Sequence, residues 1–135
     1  MTDKEKFKQL CKEDSKELDK STYNKLLKQS EITVLELQKL LDARDSSLID
    51  FYLVDVREDE EHQAGCIEGT DALIPTSSLF PSLEKANLST NKSLILYCLV
   101  GSRSAYAQRL LEQMDFHSII NVVGGISSYN RVIDF

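Results

Sequence analysis

The stretch 93–114 reads Ser-Leu-Ile-Leu-Tyr-Cys-Leu-Val-Gly-Ser-Arg-Ser-Ala-Tyr-Ala-Gln-Arg-Leu-Leu-Glu-Gln-Met, and its apolar period changes once within it. That change limits what the chain can fold into. Leu94 to Tyr97 form a continuous apolar run with the length and composition of a fully buried strand. From Arg103 the spacing is helical: Tyr106, Leu110 and Met114 share a face with Ala107 and Leu111, leaving Gln108, Arg109, Glu112 and Gln113 for water. Between strand and helix lie six residues, Cys98 to Arg103, with Gly101 to make the turn and a capping hydroxyl at Ser102 or Ser104. A helix N-terminus presents unpaired N–H groups and the positive end of the peptide dipoles, so it favours an anion such as a thiolate. Arg103 adds a permanent positive charge at the far edge of the loop. Two roles are open for Cys98: a reactive thiolate, or a small apolar residue ending a core strand.

The rest of the chain alternates in the same way. Glu31–Val34 leads into a helix whose start has the capping-box pair Thr33 and Glu36, with Leu37, Leu40 and Leu41 as its buried stripe. Phe51–Val56 is a second strong strand, and period-two alternation puts Asp55 and Arg57 on one side of it. Glu58–Glu61 suits the first turn of a helix. Ala72–Pro75 reads as a short strand, Ser77, Ser78 and Pro81 as a helix start, and Phe116–Val123 as the last strand. The pattern predicts an α/β domain over 31–135, a largely parallel central sheet flanked by helices. Residues 1–30 form a separate charged extension, helical or partly disordered, in which Cys11 sits on a short apolar face with Phe7 and Leu10.

Tyr97–Ser104 resembles the active-site loop of single-domain rhodaneses, the persulfide-forming sulfurtransferases. Leu53-Val-Asp-Val-Arg-Glu58, Gly65-Cys-Ile-Glu-Gly69 and Leu73-Ile-Pro75 resemble that family's upstream signature, and Asn121-Val-Val-Gly-Gly-Ile126 with Tyr129 its closing strand and double-glycine turn. The resemblance implies a rhodanese-like fold and a Cys98 persulfide, loaded from a small sulfur donor and discharged to a thiol or protein acceptor. Backbone N–H groups across Leu99, Val100, Gly101, Ser102 and Ser104 would cradle the outer sulfur, and Arg103 would hold an anionic donor or steady the loop. Asp55 and Arg57 would be architectural, Gly124-Gly125 would pack beside the active loop, and no cofactor or metal is implied. Two departures matter. Leu99 follows the cysteine where many thiosulfate-using relatives carry a base, which forecasts weak thiosulfate activity. Cys66 replaces a common histidine, either filling its place beside the core or acting as a resolving thiol for Cys98. His62 reads as a surface or packing residue.

Composition sets outer bounds. With 41% hydrophobic and 28% charged residues the chain is globular, and its net charge of −6 argues against sequence-independent nucleic-acid binding. Residues 1–30 carry eight lysines and six acids, so 31–135 carries −8 and repels small anions at long range. No apolar run approaches a membrane span, the N-terminus has no apolar signal region, and a cytoplasmic location is expected. Three scattered cysteines and two histidines suggest neither a disulfide framework nor zinc. Three other functions compete with sulfur transfer. One is a non-catalytic rhodanese-like binding module. Another is a phosphatase or arsenate reductase, whose loop would place arginine six positions after the cysteine where Ser104 stands. The third is a redox sensor pairing Cys98 with Cys66.

Overall fold

A computed structural model describes residues 20–133; Phe7, Leu10 and Cys11 lie outside them. In chain order the elements are α1 (Lys20–Leu26), β1 (Glu31–Ile32), α2 (Val34–Asp45), β2 (Tyr52–Asp55), α3 (Asp59–Ala64), β3 (Ala72–Leu73), a 3-10 turn (Thr76–Ser78), α4 (Leu79–Ala86), β4 (Leu94–Tyr97), α5 (Ser102–Leu111), β5 (Ile119–Val122) and α6 (Gly125–Ile133). The strands form one five-stranded sheet in the order β1-β5-β4-β2-β3, and every pairing is parallel. This is an α/β fold with a parallel sheet flanked by helices, as the sequence pattern predicts.

Side-chain alternation divides the core. In β4, Ile95 and Tyr97 point to one face and join Leu37, Leu40 and Tyr129. Leu94, Leu96 and Cys98 point to the other and join Leu79, Leu83, Ala107 and Leu111. Thr33 caps α2 as its sequence indicates: its hydroxyl accepts from the Glu36 N–H at 3.1 Å, and Glu36 Oε1 accepts from the Thr33 N–H at 2.9 Å. Helix α1 and the turn after it share the first core through Tyr23 and Leu27, and the Leu27 carbonyl accepts from the hydroxyls of Ser93 and Ser118.

The buried face of α5 differs from the sequence expectation. Ser104, Ala107, Gln108 and Leu111 are buried, whereas Tyr106 and Met114 are exposed. Gln108 turns inward because its amide has work there, donating to the carbonyls of Ser30 at 2.8 Å and Ile119 at 2.7 Å. Among the described residues no helix is long and apolar enough to cross a membrane.

Candidate active site

β4 lies between β2 and β5, so the turn that follows it sits among the C-terminal ends of three parallel strands, where such sheets place ligands. The turn is shorter than the sequence suggested, because α5 already begins at Ser102. Gly101 closes it with φ of 107°, a conformation that side-chain-bearing residues rarely adopt. The result is a set of donors on one sulfur. Cys98 Sγ accepts from the Gly101 N–H at 3.0 Å and the Ser104 N–H at 3.4 Å, and the Ser104 hydroxyl lies within hydrogen-bond reach of it at 3.4 Å. Burial of the 0% exposed Cys98 pushes its thiol up. Hydrogen bonds from the Ser104 hydroxyl and the Ser104, Gly101 and Val100 N–H groups outweigh burial and hold it below its usual value. The side chains of Leu99 and Val100 stand outward and exposed on the rim.

The double-glycine turn fastens α6 to this loop: the Cys98 carbonyl accepts from the Ile126 N–H at 2.9 Å and the Leu99 carbonyl from the Ser127 N–H at 3.0 Å. Arg103 is committed to Glu61, Nη1 to Oε1 at 2.6 Å and Nη2 to Oε2 at 2.9 Å. That pairing holds the Glu61 carboxyl down to about 2 and raises Arg103. Asp55 is fully buried and Arg57 nearly so. Arg57 Nε and Nη2 donate to the two Asp55 oxygens at 3.0 and 2.8 Å, and Nη2 also reaches the Gly65 carbonyl at 2.5 Å. His62 Nδ1 lies 2.9 Å from Asp55 Oδ2, a specific contact for a residue read as surface or packing.

Cys66 requires a correction. It does not fill a histidine's place beside the core but is exposed after the Gly65 turn, on the wall of a cavity of about 460 Å³ shared with Arg57, Glu61, Leu99 and Ile126. A second cavity of about 500 Å³ lies against Glu58, Ser77, Ser102, Arg103 and Tyr106. Glu61 lines the first and Arg103 the second, so their ion pair stands between the two. Among the described residues no group of three His, Cys, Asp or Glu side chains is placed to hold a metal.

Residues 33–131 match the family of rhodanese-like domains. The chain belongs to the rhodanese-like family. A sulfurtransferase from Allochromatium vinosum is 31% identical over 94 residues, 70% of this chain and 80% of that protein. A rhodanese-like domain protein from Staphylococcus aureus superposes with a TM-score of 0.63 at 30% identity, covering 75% of this chain and 91% of that one. Longer relatives include a tRNA uridine(34) hydroxylase from Acinetobacter baylyi, 35% identical over 83 residues and 59% of this chain. The chain spans 26% of that protein and 25% of a probable adenylyltransferase/sulfurtransferase from Mycobacterium tuberculosis.

Sequence reasoning missed two polar residues in this rhodanese-like site. Asn121 on β5 is 7% exposed; its signal was an amide inside the apolar run Ile-Ile-Asn-Val. Glu61 was one acid among four, and nothing local marks it as the partner of an arginine 42 positions away.

Proposed function

We propose that the chain is a sulfurtransferase that carries sulfane sulfur as a persulfide on Cys98. The observation that carries this reading is a single buried sulfur faced by the Gly101 N–H and by both the N–H and the hydroxyl of Ser104, all within hydrogen-bond reach. With thiosulfate as donor, the Cys98 thiolate attacks the outer sulfur, a new S–S bond forms, and sulfite leaves with the electron pair of the old one. An acceptor thiolate or cyanide then attacks the outer sulfur of the persulfide and returns Cys98 as thiolate. Neither step requires an oxidant. Loop N–H groups cradle the partly negative outer sulfur. Cys98 is fully buried, and the exposed side chains of Leu99 and Val100 stand on the rim beside it. Their apolar side chains suit a protein or apolar thiol more than a small dianion, and a thiol-rich compartment such as the cytoplasm fits that acceptor.

Arg103 steadies the loop through Glu61, and an anionic donor competes with that carboxylate for it. Removing the negative charge at the mouth, as in Glu61→Gln, is expected to lower the KM for thiosulfate by about three- to tenfold, the effect of one charge near a protein surface. An unchanged or higher KM in steady-state thiosulfate:cyanide assays would show that Arg103 does not meet the donor.

The test of the reading itself is intact-protein mass spectrometry after incubation with thiosulfate and, separately, with a low-molecular-weight persulfide. Wild type is expected to gain about 32 Da, one sulfur, in a form removed by cyanide and mapped to Cys98, with more from the persulfide than from thiosulfate. Cys98→Ser is expected to gain nothing. No gain from either donor in wild type would leave a non-catalytic binding module.

A further inference from the structure

We propose that Asn121 is a positioning residue for Cys98: it holds the Ser104 hydroxyl proton away from the sulfur while the sulfur is uncharged and releases it when a thiolate forms. The geometry at Ser104 points to this. Its Oγ has one proton and three acceptors in reach, Asn121 Oδ1 at 2.5 Å, the Gly101 carbonyl at 3.2 Å and Cys98 Sγ at 3.4 Å. The amide orientation of Asn121 is fixed by its other end, where Nδ2 donates to the Gly101 carbonyl at 3.3 Å; flipped, it would set two carbonyl oxygens against each other. Oδ1 therefore faces Ser104, and an amide oxygen only accepts. The hydroxyl proton lies on the shortest of the three lines, to Asn121.

In that state Ser104 turns a lone pair toward Cys98. A thiol S–H can donate to it, whereas a thiolate is repelled by it. When Cys98 loses its proton the hydroxyl rotates to donate to Sγ, and Asn121 Oδ1, in a buried setting, loses its donor, which is costly. The Val100, Gly101 and Ser104 N–H groups and the charged Arg103 side chain act on the sulfur in both states, so the hydroxyl is the group that switches. Asn121 thus favours the states in which Sγ carries no full charge, the thiol and, in the proposed reaction, the persulfide. The inference rests on Cys98 being the reacting sulfur and is independent of the donor.

The test is the pH profile of Cys98 alkylation by iodoacetamide in the full chain, with Cys11→Ser and Cys66→Ser so that Cys98 is its sole thiol. Asn121→Val leaves Ser104 free to donate to the sulfur. The midpoint is expected to move down by about half a pH unit, a roughly threefold faster reaction below it. Ser104→Ala is expected to move the midpoint up. In the Ser104→Ala background Asn121→Val is expected to move nothing further, because the hydroxyl it acts through is gone. If Asn121 only braces the Gly101 carbonyl, its effect is the same with and without Ser104, and that result overturns the inference, as does the absence of any shift. Should thermal melts show Asn121→Val unfolded, Asn121→Ala is expected to give the same pattern. Alkylation reads ionisation whether or not Cys98 ever carries sulfur, so a failed sulfur-loading experiment leaves this test standing.

Discussion

Gly125→Ala is expected to lower the melting temperature by roughly 10 °C or more and to suppress sulfur loading on Cys98. Gly125 has φ of 58°, in the left-handed region that costs a side-chain-bearing residue about 1 kcal/mol. The larger part is steric. A Cβ placed there would lie 2.6 Å from the Leu99 carbonyl oxygen and closer still to that of Cys98. Both contacts are backbone, so no rotamer change relieves them. The same carbonyls accept from the N–H groups of Ile126 and Ser127, so the methyl group strikes the hydrogen bonds that join α6 to the active loop. Helix α6 cannot simply withdraw, since Ile126 and Tyr129 are buried and Tyr129 Oη donates to Gln38 Oε1 at 2.8 Å. Strain and broken contacts together come to about 3 kcal/mol or more. At a few degrees per kcal/mol for a domain of this size, that gives the stated shift. Thermal melts and intact mass of the same samples check it. A variant with wild-type melting and wild-type sulfur gain would mean that the loop and α6 are not coupled through this turn.

The parts of this architecture that the sequence discloses are those set by short-range periodicity. Continuous apolar runs at Leu94–Tyr97 and around Leu53 give buried parallel strands, because strands covered on both faces need apolar side chains on both. The Thr33–Glu36 box is local chemistry and appears as written. Burial on α5 was harder to read. Tyr106 and Met114 looked like stripe residues by hydropathy and are exposed, while Gln108 looked solvated and is inside. An amide is cheap to bury once two carbonyls receive it, and those carbonyls, Ser30 and Ile119, lie far from it in sequence. The site shows the same division. Cys98, Gly101 and Ser104 are close in sequence and meet through turn geometry, which spacing can forecast. Glu61 and Asn121 reach the loop only through the sheet's topology, and a single sequence marks them as polar without naming their partners.

Asp55→Ala is expected to destabilise the fold by about 3–5 kcal/mol near neutral pH, the usual effect of removing one partner from a buried ion pair. Register explains the sensitivity: Asp55 pairs with Tyr97, the residue before Cys98. Its carboxylate takes the Arg57 guanidinium, the Arg57 N–H and His62. Without it, Arg57, 5% exposed in the wild type, keeps the Gly65 carbonyl, the Tyr97 ring 5.8 Å away and the more distant charge of Glu61, and loses its paired carboxylate. Burial pushes the Asp55 carboxyl up, but the hydrogen bonds from Arg57 and His62 prevail and set it below its ordinary 3.8. A carboxyl lowered in the folded state stabilises fully above its unfolded value, and that contribution is lost as pH falls through the folded one. The stability gap between wild type and Asp55→Ala should therefore be widest above about pH 4 and narrow below it. Glu61, lowered from 4.5 to about 2, also weakens the fold on acidification. Its main partner, Arg103, is present in both proteins, so most of that effect cancels in the difference between them. Urea unfolding of the pair from pH 7 down to about 2.5 measures that difference. A gap that stays constant across the range would mean that Asp55 stabilises by packing, with its charge and the Arg57 pairing irrelevant to the turn that carries Gly65 and Cys66.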